Sequence, residues 1–118
     1  ENLDEAIASY EKAVELVSAD HTLQMELGTL YREAERIDEA VQAYLKASEL
    51  AADDIYTQLV LYNYVNSMER YDDALIIEKR IEEYQERMAE MQKQLEEAQA
   101  EAETESEQDT STEADSEN

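Results

Sequence analysis

The side chains best able to do chemistry in this chain are one histidine, His21, and 32 carboxylates. A transition-metal site needs several histidines or cysteines close together, and this sequence has no cysteine and no second histidine. The acidic pair Asp53-Asp54 lacks the alternating oxygen ligands, turn glycine and final glutamate of a calcium-binding loop. We therefore expect no metal and no cofactor, and we interpret His21 as a residue at the start of a helix.

Catalysis by paired carboxylic acids is the remaining enzymatic option, because acidic residues are abundant. The chain has neither a glycine-rich phosphate loop nor a nucleophile elbow. It has no proline and a single glycine, Gly28, which favours helices joined by short connections. Paired-acid catalysis also needs an enclosed pocket that raises the pKa of one carboxyl, and stacked helices of this size enclose none. We predict that the protein is not an enzyme.

The formal net charge of −23 on 118 residues limits the partners of this chain. Such a surface repels the phosphate backbone of nucleic acids and an anionic membrane leaflet. No apolar run approaches the ~18 residues of a membrane span, so direct membrane insertion is not expected. Glu1 does not look like a natural start, and the absence of cysteine leaves the compartment open, so no localisation is predicted. Adaptation to a salt-accumulating organism is an alternative explanation of the acidity.

One short segment occurs three times along the chain, at intervals of 34 residues. Its copies are Leu3-Asp4-Glu5-Ala6, Ile37-Asp38-Glu39-Ala40 and Tyr71-Asp72-Asp73-Ala74. A period in this range indicates a stack of supersecondary units, none of which can bury its apolar face alone. Each acidic pair falls where a helix should begin, where carboxylates complement the positive end of the helix dipole. We interpret these pairs as helix starters rather than as ligands.

The apolar residues follow a helical spacing from the first helix to the last. The connectors Ser18-Ala19-Asp20 and Ala52-Asp53-Asp54 each offer a stop followed by an N-cap for the next helix. Another helix end is expected near Glu35-Arg36, and the last helix begins at Tyr71. The pattern predicts five helices.

Two sequence blocks carry a resemblance to a known family. They are Gln24-x2-Leu27-Gly28-x2-Tyr31 and Ala40-x3-Tyr44-x2-Ala47. This unit resembles the tetratricopeptide repeat, although Gln24 stands where the family often has tryptophan and Ala52 where it often has proline. The resemblance implies that Gly28 and Ala40 lie where two paired helices cross most closely. The positions that match the repeat are Ala6, Tyr10, Ala13, Leu27, Gly28, Tyr31, Ala40, Tyr44, Ala47 and Ala74.

The resemblance implies an all-α fold, a right-handed α-solenoid of antiparallel helix pairs over residues 1–84. Residues 1–20 form a half repeat, residues 21–54 a complete repeat and residues 55–84 a degenerate repeat. Because the chain opens on the second helix of a pair, we expect it to be a fragment of a longer repeat array. Arrays of this kind usually need about three units for stability.

Extended peptides or helices bind in the concave groove of such repeats, which the first helix of each pair lines. The groove lysines with which chaperone-binding members hold a C-terminal carboxylate are absent here. A groove in so acidic a chain is expected to prefer a neutral or basic protein or peptide partner. By helical geometry and family position, the groove residues are expected to be Thr22, Met25, Thr29, Arg32, Tyr56, Leu59, Asn63 and Asn66.

The fifth helix is predicted to continue over residues 85–103 as an extended C-terminal helix with a heptad pattern. Its stripe includes Met88, Met91 and Leu95. In one interpretation its early part caps the repeats and the rest is a solvated helix. In the other, two chains form a weak homodimer along the stripe. The seam is rich in methionine and alanine, and the flanking pairs Arg80–Gln85 and Arg87–Gln92 have no opposite charges, which favours the first interpretation.

Residues 104–118 form an acidic tail in which Ala114 is the one apolar side chain. Since nothing there could offset the entropy of ordering, this segment is predicted to be disordered.

The function predicted from the sequence is that of an interaction scaffold or adaptor, which binds a peptide or helix in the repeat groove. Two alternatives remain at this point. The first is an assembly module that dimerises through the heptad helix, and the second is a regulatory appendage of a larger protein.

Overall fold

The computed structural model describes residues 2–116, with side chains described up to residue 108. The helices are α1 (Leu3–Leu16), α2 (His21–Glu33), α3 (Ile37–Leu50), α4 (Ile55–Ser67) and α5 (Tyr71–Ser116). Within this part of the chain no strand occurs, and α1 to α4 pack in sequence order. The prediction of an all-α fold with a long C-terminal helix is confirmed. The chain divides into two units, residues 1–84 and 85–118.

Three helices of the first unit begin at a side chain that binds free backbone amides. Asn2 accepts a hydrogen bond from the amide of Asp4 at 2.9 Å. Asp20 accepts from the amides of Thr22 and Leu23, and Asp54 accepts from the amide of Thr57. The first residue after the Asp20 cap is His21, which places the histidine at a helix start. The caps predicted in the two connectors are therefore present, at Asp20 and Asp54, and each satisfies amides that the first helical turn leaves unpaired.

The connections from α2 to α3 and from α4 to α5 share a left-handed residue that the sequence did not indicate. Glu35 has φ 62° and Glu69 has φ 63°, although glycine is the usual residue in this conformation. The amides of Glu35 and Arg36 donate to the carbonyls of Arg32 and Tyr31, which closes the end of α2. These turns therefore form without glycine, and Glu35 and Glu69 adopt the strained positive φ instead.

Replacing Glu35 with glycine should raise the free energy of unfolding by about 0.5–1 kcal/mol, because glycine adopts a positive φ without steric cost. The matched control is Glu35→Gln, which removes the same charge but keeps the Cβ atom. Urea titrations of the two variants compare them directly. Equal stability of the glycine and glutamine variants would contradict the assignment of strain to this residue.

The core of the first unit consists largely of positions that recur every 34 residues along the chain, such as Ala40 and Ala74. Ala40 and Ala47 are fully buried and Tyr44 is 1% exposed. Leu27, Tyr31 and Ala74 are buried as well. The remaining positions that match the repeat in α1, namely Ala6, Tyr10 and Ala13, are half-buried.

A buried polar cluster joins α3, α4 and α5, and sequence analysis missed it. Gln58 is fully buried, and its Nε2 donates to the carbonyls of Ser48 at 2.9 Å and Ala51 at 2.6 Å. Its Oε1 accepts from the Ser48 hydroxyl at 2.5 Å, and Arg80 donates to that same hydroxyl oxygen at 2.9 Å. Gln58 therefore donates to two carbonyls at the end of α3, of which the Ala51 carbonyl also accepts from the amide of Asp54.

In the second unit, every side chain from residue 85 to residue 108 is exposed. The predicted extended helix over residues 85–103 is helical. The predicted disorder of residues 104–118 is not confirmed, because α5 continues to Ser116; residues 117 and 118 lie outside the described residues. The prediction considered only burial, whereas extending an existing helix needs no new nucleus and glutamate and alanine are good helix formers.

Candidate functional site

The first unit contains a groove of about 410 Å³ between α1, α2 and α4. Its surface is mainly apolar, and most of it comes from one face of α2. The helix α1 supplies one tyrosine and α4 supplies another. The residues that line the groove are Tyr10, Thr22, Met25, Glu26, Thr29, Leu30 and Tyr64.

One wall of this groove is held in place by Tyr44, a buried residue of α3. A hydrogen bond of 2.8 Å joins its hydroxyl to Thr29 Oγ1. Its ring lies 5.3 Å from the ring of Tyr64, at an interplanar angle of 44°. The ring also lies so close to Gly28 that a Cβ atom there would be 2.7 Å from Tyr44 Cε1. The absence of a side chain at Gly28 thus lets Tyr44 reach across α2 and position Thr29 and Tyr64.

Glu26 is the charged residue of the groove lining, and it acts on Tyr10 on the opposite wall. A hydrogen bond with Glu26, together with its negative charge, raises the pKa of Tyr10. The Tyr10 hydroxyl therefore donates to Glu26, and both its oxygen and the Glu26 carboxylate can accept further hydrogen bonds. The groove accordingly offers a mainly apolar surface, a phenol and one carboxylate to a ligand.

The structure brings three of the eight predicted groove residues into this groove, namely Thr22, Met25 and Thr29. Arg32 from α2 and four residues of α4 do not line it. Of these, Tyr56 is 79% exposed and Leu59 is 45% exposed. Arg32 and Asn63 are exposed and Asn66 is half-buried.

Sequence analysis missed four groove residues: Tyr10, Glu26, Leu30 and Tyr64. The prediction gave equivalent positions of α2 and α4 equal parts in the groove lining, whereas Tyr64 is the one α4 residue in that lining. Tyr64 follows Leu30 by the same 34 residues that separate the repeats, but Leu30 was not predicted to line the groove either, so the period gave no signal for Tyr64. Tyr10 was not chosen, since α1 is the second helix of its pair and such helices were not expected to line the groove.

A second depression, of about 330 Å³, lies between α2 and α3 and has two carboxylates in its lining, Asp38 and Glu39. Glu39 accepts two hydrogen bonds from the Arg36 guanidinium, which lowers the pKa of Glu39. Asp38 forms an ion pair with Arg70. Because arginines of the same chain already hold both carboxylates, this depression is a weaker candidate for binding.

Tyr31 lies in the lining of this second depression and joins three helices of the unit. Its hydroxyl donates to Glu11 at 2.5 Å, and the Arg36 guanidinium lies 4.8 Å from the centre of its ring. Burial and the hydrogen bond to Glu11 raise the pKa of Tyr31 to about 12. The neutral phenol therefore remains a hydrogen-bond donor at physiological pH and links α1 to the α2–α3 pair.

A sequence profile described as tetratricopeptide repeat matches residues 1–18 and 21–54. The match covers α1 and the complete pair of α2 and α3 that carries Gly28 and Tyr44. The matched segments belong to the tetratricopeptide-repeat family. Residues 55–84, for which a degenerate repeat is predicted, lie beyond the matched segment.

The fold of this chain is similar to that in a crystal structure of MamA, with a TM-score of 0.54 at 22% sequence identity. The similarity covers 75% of this chain and 52% of the MamA chain, so the protein spans about half the length of that structure. No curated protein matches the chain.

Tetratricopeptide repeats are a fold of protein-interaction scaffolds and are typically not catalytic. The matched repeats of this chain are of this general kind. Among the residues that the structure describes, no helix combines the length and apolarity of a membrane span.

Proposed function

We propose that the groove between α1, α2 and α4 binds a peptide segment of a partner protein, with an apolar side chain inserted and a lysine or arginine beside it. The observation that carries this proposal is the lining itself: Met25, Leu30 and Tyr64 surround an apolar space, and Glu26 stands on its wall. Its volume of about 410 Å³ lies within the range of about 300–1,000 Å³ that is typical of ligand pockets.

The polar groups of the groove support a peptide rather than a purely apolar ligand. The Thr22 hydroxyl can donate to or accept from a peptide backbone, and the Tyr10 oxygen can accept from a backbone amide, as polar groups in protein interfaces commonly do. The Tyr44–Thr29 hydrogen bond holds one wall before a ligand arrives, which lowers the entropy lost on binding.

The charge of the partner segment follows from the charge of the protein. With a net charge of −23, the protein attracts basic segments over the range of the Debye length, about 8 Å at physiological salt. Glu26 then offers a specific partner for one cation inside the groove. An acidic peptide would be repelled both by the net charge of the protein and by Glu26. We therefore expect the groove to discriminate between peptides by charge as well as by apolar contact.

Replacing Met25 with glutamine should weaken peptide binding by about tenfold, since it places an unpaired amide in the apolar wall. The matched control is Leu59→Gln, at the equivalent position of the next repeat but outside the groove. The probe is a fluorescein-labelled dodecapeptide of leucine, lysine and alanine, and the measurement is fluorescence anisotropy with the full chain. Circular dichroism establishes that both variants retain the helical content of the wild type.

Two further peptides separate groove binding from attraction to the acidic surface. One replaces every leucine with serine at unchanged charge, and the other replaces every lysine with glutamate. We expect both to bind at least about tenfold more weakly at 0.15 M salt. Equal binding of the leucine and serine peptides, or equal effects of Met25→Gln and Leu59→Gln, would show that the groove is not the binding site.

A further inference from the structure

The second unit carries an apolar stripe that the repeat groove does not explain. It consists of Met88, Met91, Leu95 and Ala98, spaced three and four residues apart on α5; we call it the α5 seam. Met88 is 39% exposed, Met91 59% and Leu95 53%. Together with Gln92 and Gln94, the three large side chains line a shallow depression of about 490 Å³.

The charges of this helix are sorted around the seam. The positions that flank the seam over residues 87–99 are Arg87, Gln92, Gln94 and Gln99, and none of them is acidic. At 100° per residue, the glutamates of the same stretch point away from the seam. They are Glu90, Glu96 and Glu97.

This sorting favours a covered seam over a solvated one. Roughly a quarter of all residues in this chain are acidic. A helix that is exposed to water on all sides is not stabilised by the exclusion of glutamates from one of its faces. In a helix that pairs along the seam, acidic residues beside the stripe would lie near acidic residues beside the stripe of a second copy, and the like charges would repel.

We propose that the α5 seam is a self-association surface, along which the same helix of a second copy packs in the antiparallel direction. This proposal goes beyond the peptide groove and does not depend on it. In the register that we infer, Met91 lies opposite Leu95 of the second copy and Met88 lies opposite Ala98. Large side chains then meet small ones at the ends of the seam, which fills space more evenly than the parallel arrangement, where Ala98 would face Ala98 and leave a gap.

The same register places opposite charges beside each other. Arg87 of one copy faces Glu101 of the other, and the two-fold symmetry of an antiparallel pair forms this contact twice. A parallel pair would instead set Arg87 against Gln92, which provides no charge complementarity. Packing and charge therefore indicate the same direction.

The association is expected to be weak, because methionine and alanine pack less specifically than branched residues and the seam is only about 17 Å long at 1.5 Å per residue. The many exposed carboxylates of each copy also repel one another. High salt screens that repulsion, so the dissociation constant is best measured at about 0.5 M salt, whereas charge reversal is tested at about 0.15 M, where the Arg87–Glu101 contact is less screened.

Sedimentation equilibrium of the full chain, over roughly 10 μM to 1 mM, measures the dimer dissociation constant. Ala98→Glu puts a charge into the seam, and we expect it to raise this constant by at least about tenfold. Ala100→Glu makes the same chemical change on the far side of the helix, and we expect less than about a twofold effect. A monomer at all concentrations, or equal effects of both variants, would overturn the proposal.

Charge reversal tests the direction of the pair. Arg87→Glu and Glu101→Arg should each weaken the dimer by about threefold or more, and the double variant should restore it. If the double variant is no tighter than either single variant, the antiparallel register is wrong. Circular dichroism of each variant shows whether helical content is preserved, so that a loss of association is attributed to the seam.

Discussion

Replacing Gly28 with alanine should destabilise the protein by about 1–2 kcal/mol, although the same exchange in an unobstructed helix stabilises by about 1 kcal/mol. The reason is the ring of Tyr44: a Cβ atom at residue 28 would lie 2.7 Å from Cε1 and 2.8 Å from Cδ1. The ring cannot move away easily, because it is 1% exposed and its hydroxyl is bonded to Thr29. Thermal and urea denaturation followed by circular dichroism measure the change.

A double-mutant cycle with Tyr44→Leu tests this explanation more sharply than the single exchange does. Tyr44→Leu alone should cost about 2–4 kcal/mol through lost packing. In the Tyr44→Leu background, however, Gly28→Ala should become neutral or stabilise by up to about 1 kcal/mol, since the obstructing ring is gone. If Gly28→Ala destabilises both backgrounds equally, the contact with Tyr44 is not what requires glycine at this position. If leucine at residue 44 is not tolerated, Tyr44→Phe keeps the ring, and Gly28→Ala should still destabilise that variant.

Replacing Gln58 with leucine should lower the free energy of unfolding by about 2–3 kcal/mol, although leucine is apolar and of similar size. Gln58 is fully buried and donates to the carbonyls of Ser48 and Ala51. Leucine removes a donor from each carbonyl and the acceptor from the Ser48 hydroxyl; the Ala51 carbonyl keeps the Asp54 amide and the Ser48 hydroxyl oxygen keeps Arg80. The main loss therefore falls on the Ser48 carbonyl and the Ser48 hydroxyl hydrogen. Leaving buried polar groups unsatisfied costs more than the average hydrogen bond contributes.

The matched control for Gln58 is Gln42→Leu, since Gln42 lies on an exposed position of α3. This exchange should change stability by less than about 0.5 kcal/mol. Ser48→Ala removes one member of the cluster and should give an intermediate loss of about 1 kcal/mol. A Gln58→Leu variant as stable as Gln42→Leu would contradict the view that Gln58 joins the last two repeats through hydrogen bonds.

The fold was predictable because its determinants are local and periodic. The N-caps at Asp20 and Asp54 act within one helical turn, so the connectors could be recognised from a few residues. The buried alanines Ala40 and Ala74 follow the 34-residue period, and helix crossings in every repeat need small residues at the same place. The left-handed conformation of Glu35 escaped prediction, because a glutamate carries no turn signal of its own.

The groove was only partly predictable, because sequence spacing tells which helix face a residue lies on but not how deep the neighbouring surface is. Thr22, Met25 and Thr29 share a face of α2, and they line the groove as expected from that face. Tyr64 was missed because its place in the groove depends on its contact with Tyr44, a residue of another helix. Such contacts between helices depend on packing angles, which the spacing of apolar residues does not specify.

The measurement that tests the central claim most directly is a titration of ¹⁵N-labelled full chain with the unlabelled leucine–lysine dodecapeptide, followed by amide chemical shifts. We expect saturable shifts centred on the groove residues Met25, Thr29 and Tyr64, and only small shifts on the exposed face that carries Tyr56 and Leu59. The serine version of the peptide should not produce the groove shifts. Shifts confined to the acidic residues of α5, or identical for both peptides, would contradict a peptide-binding groove and reduce the interaction to charge attraction.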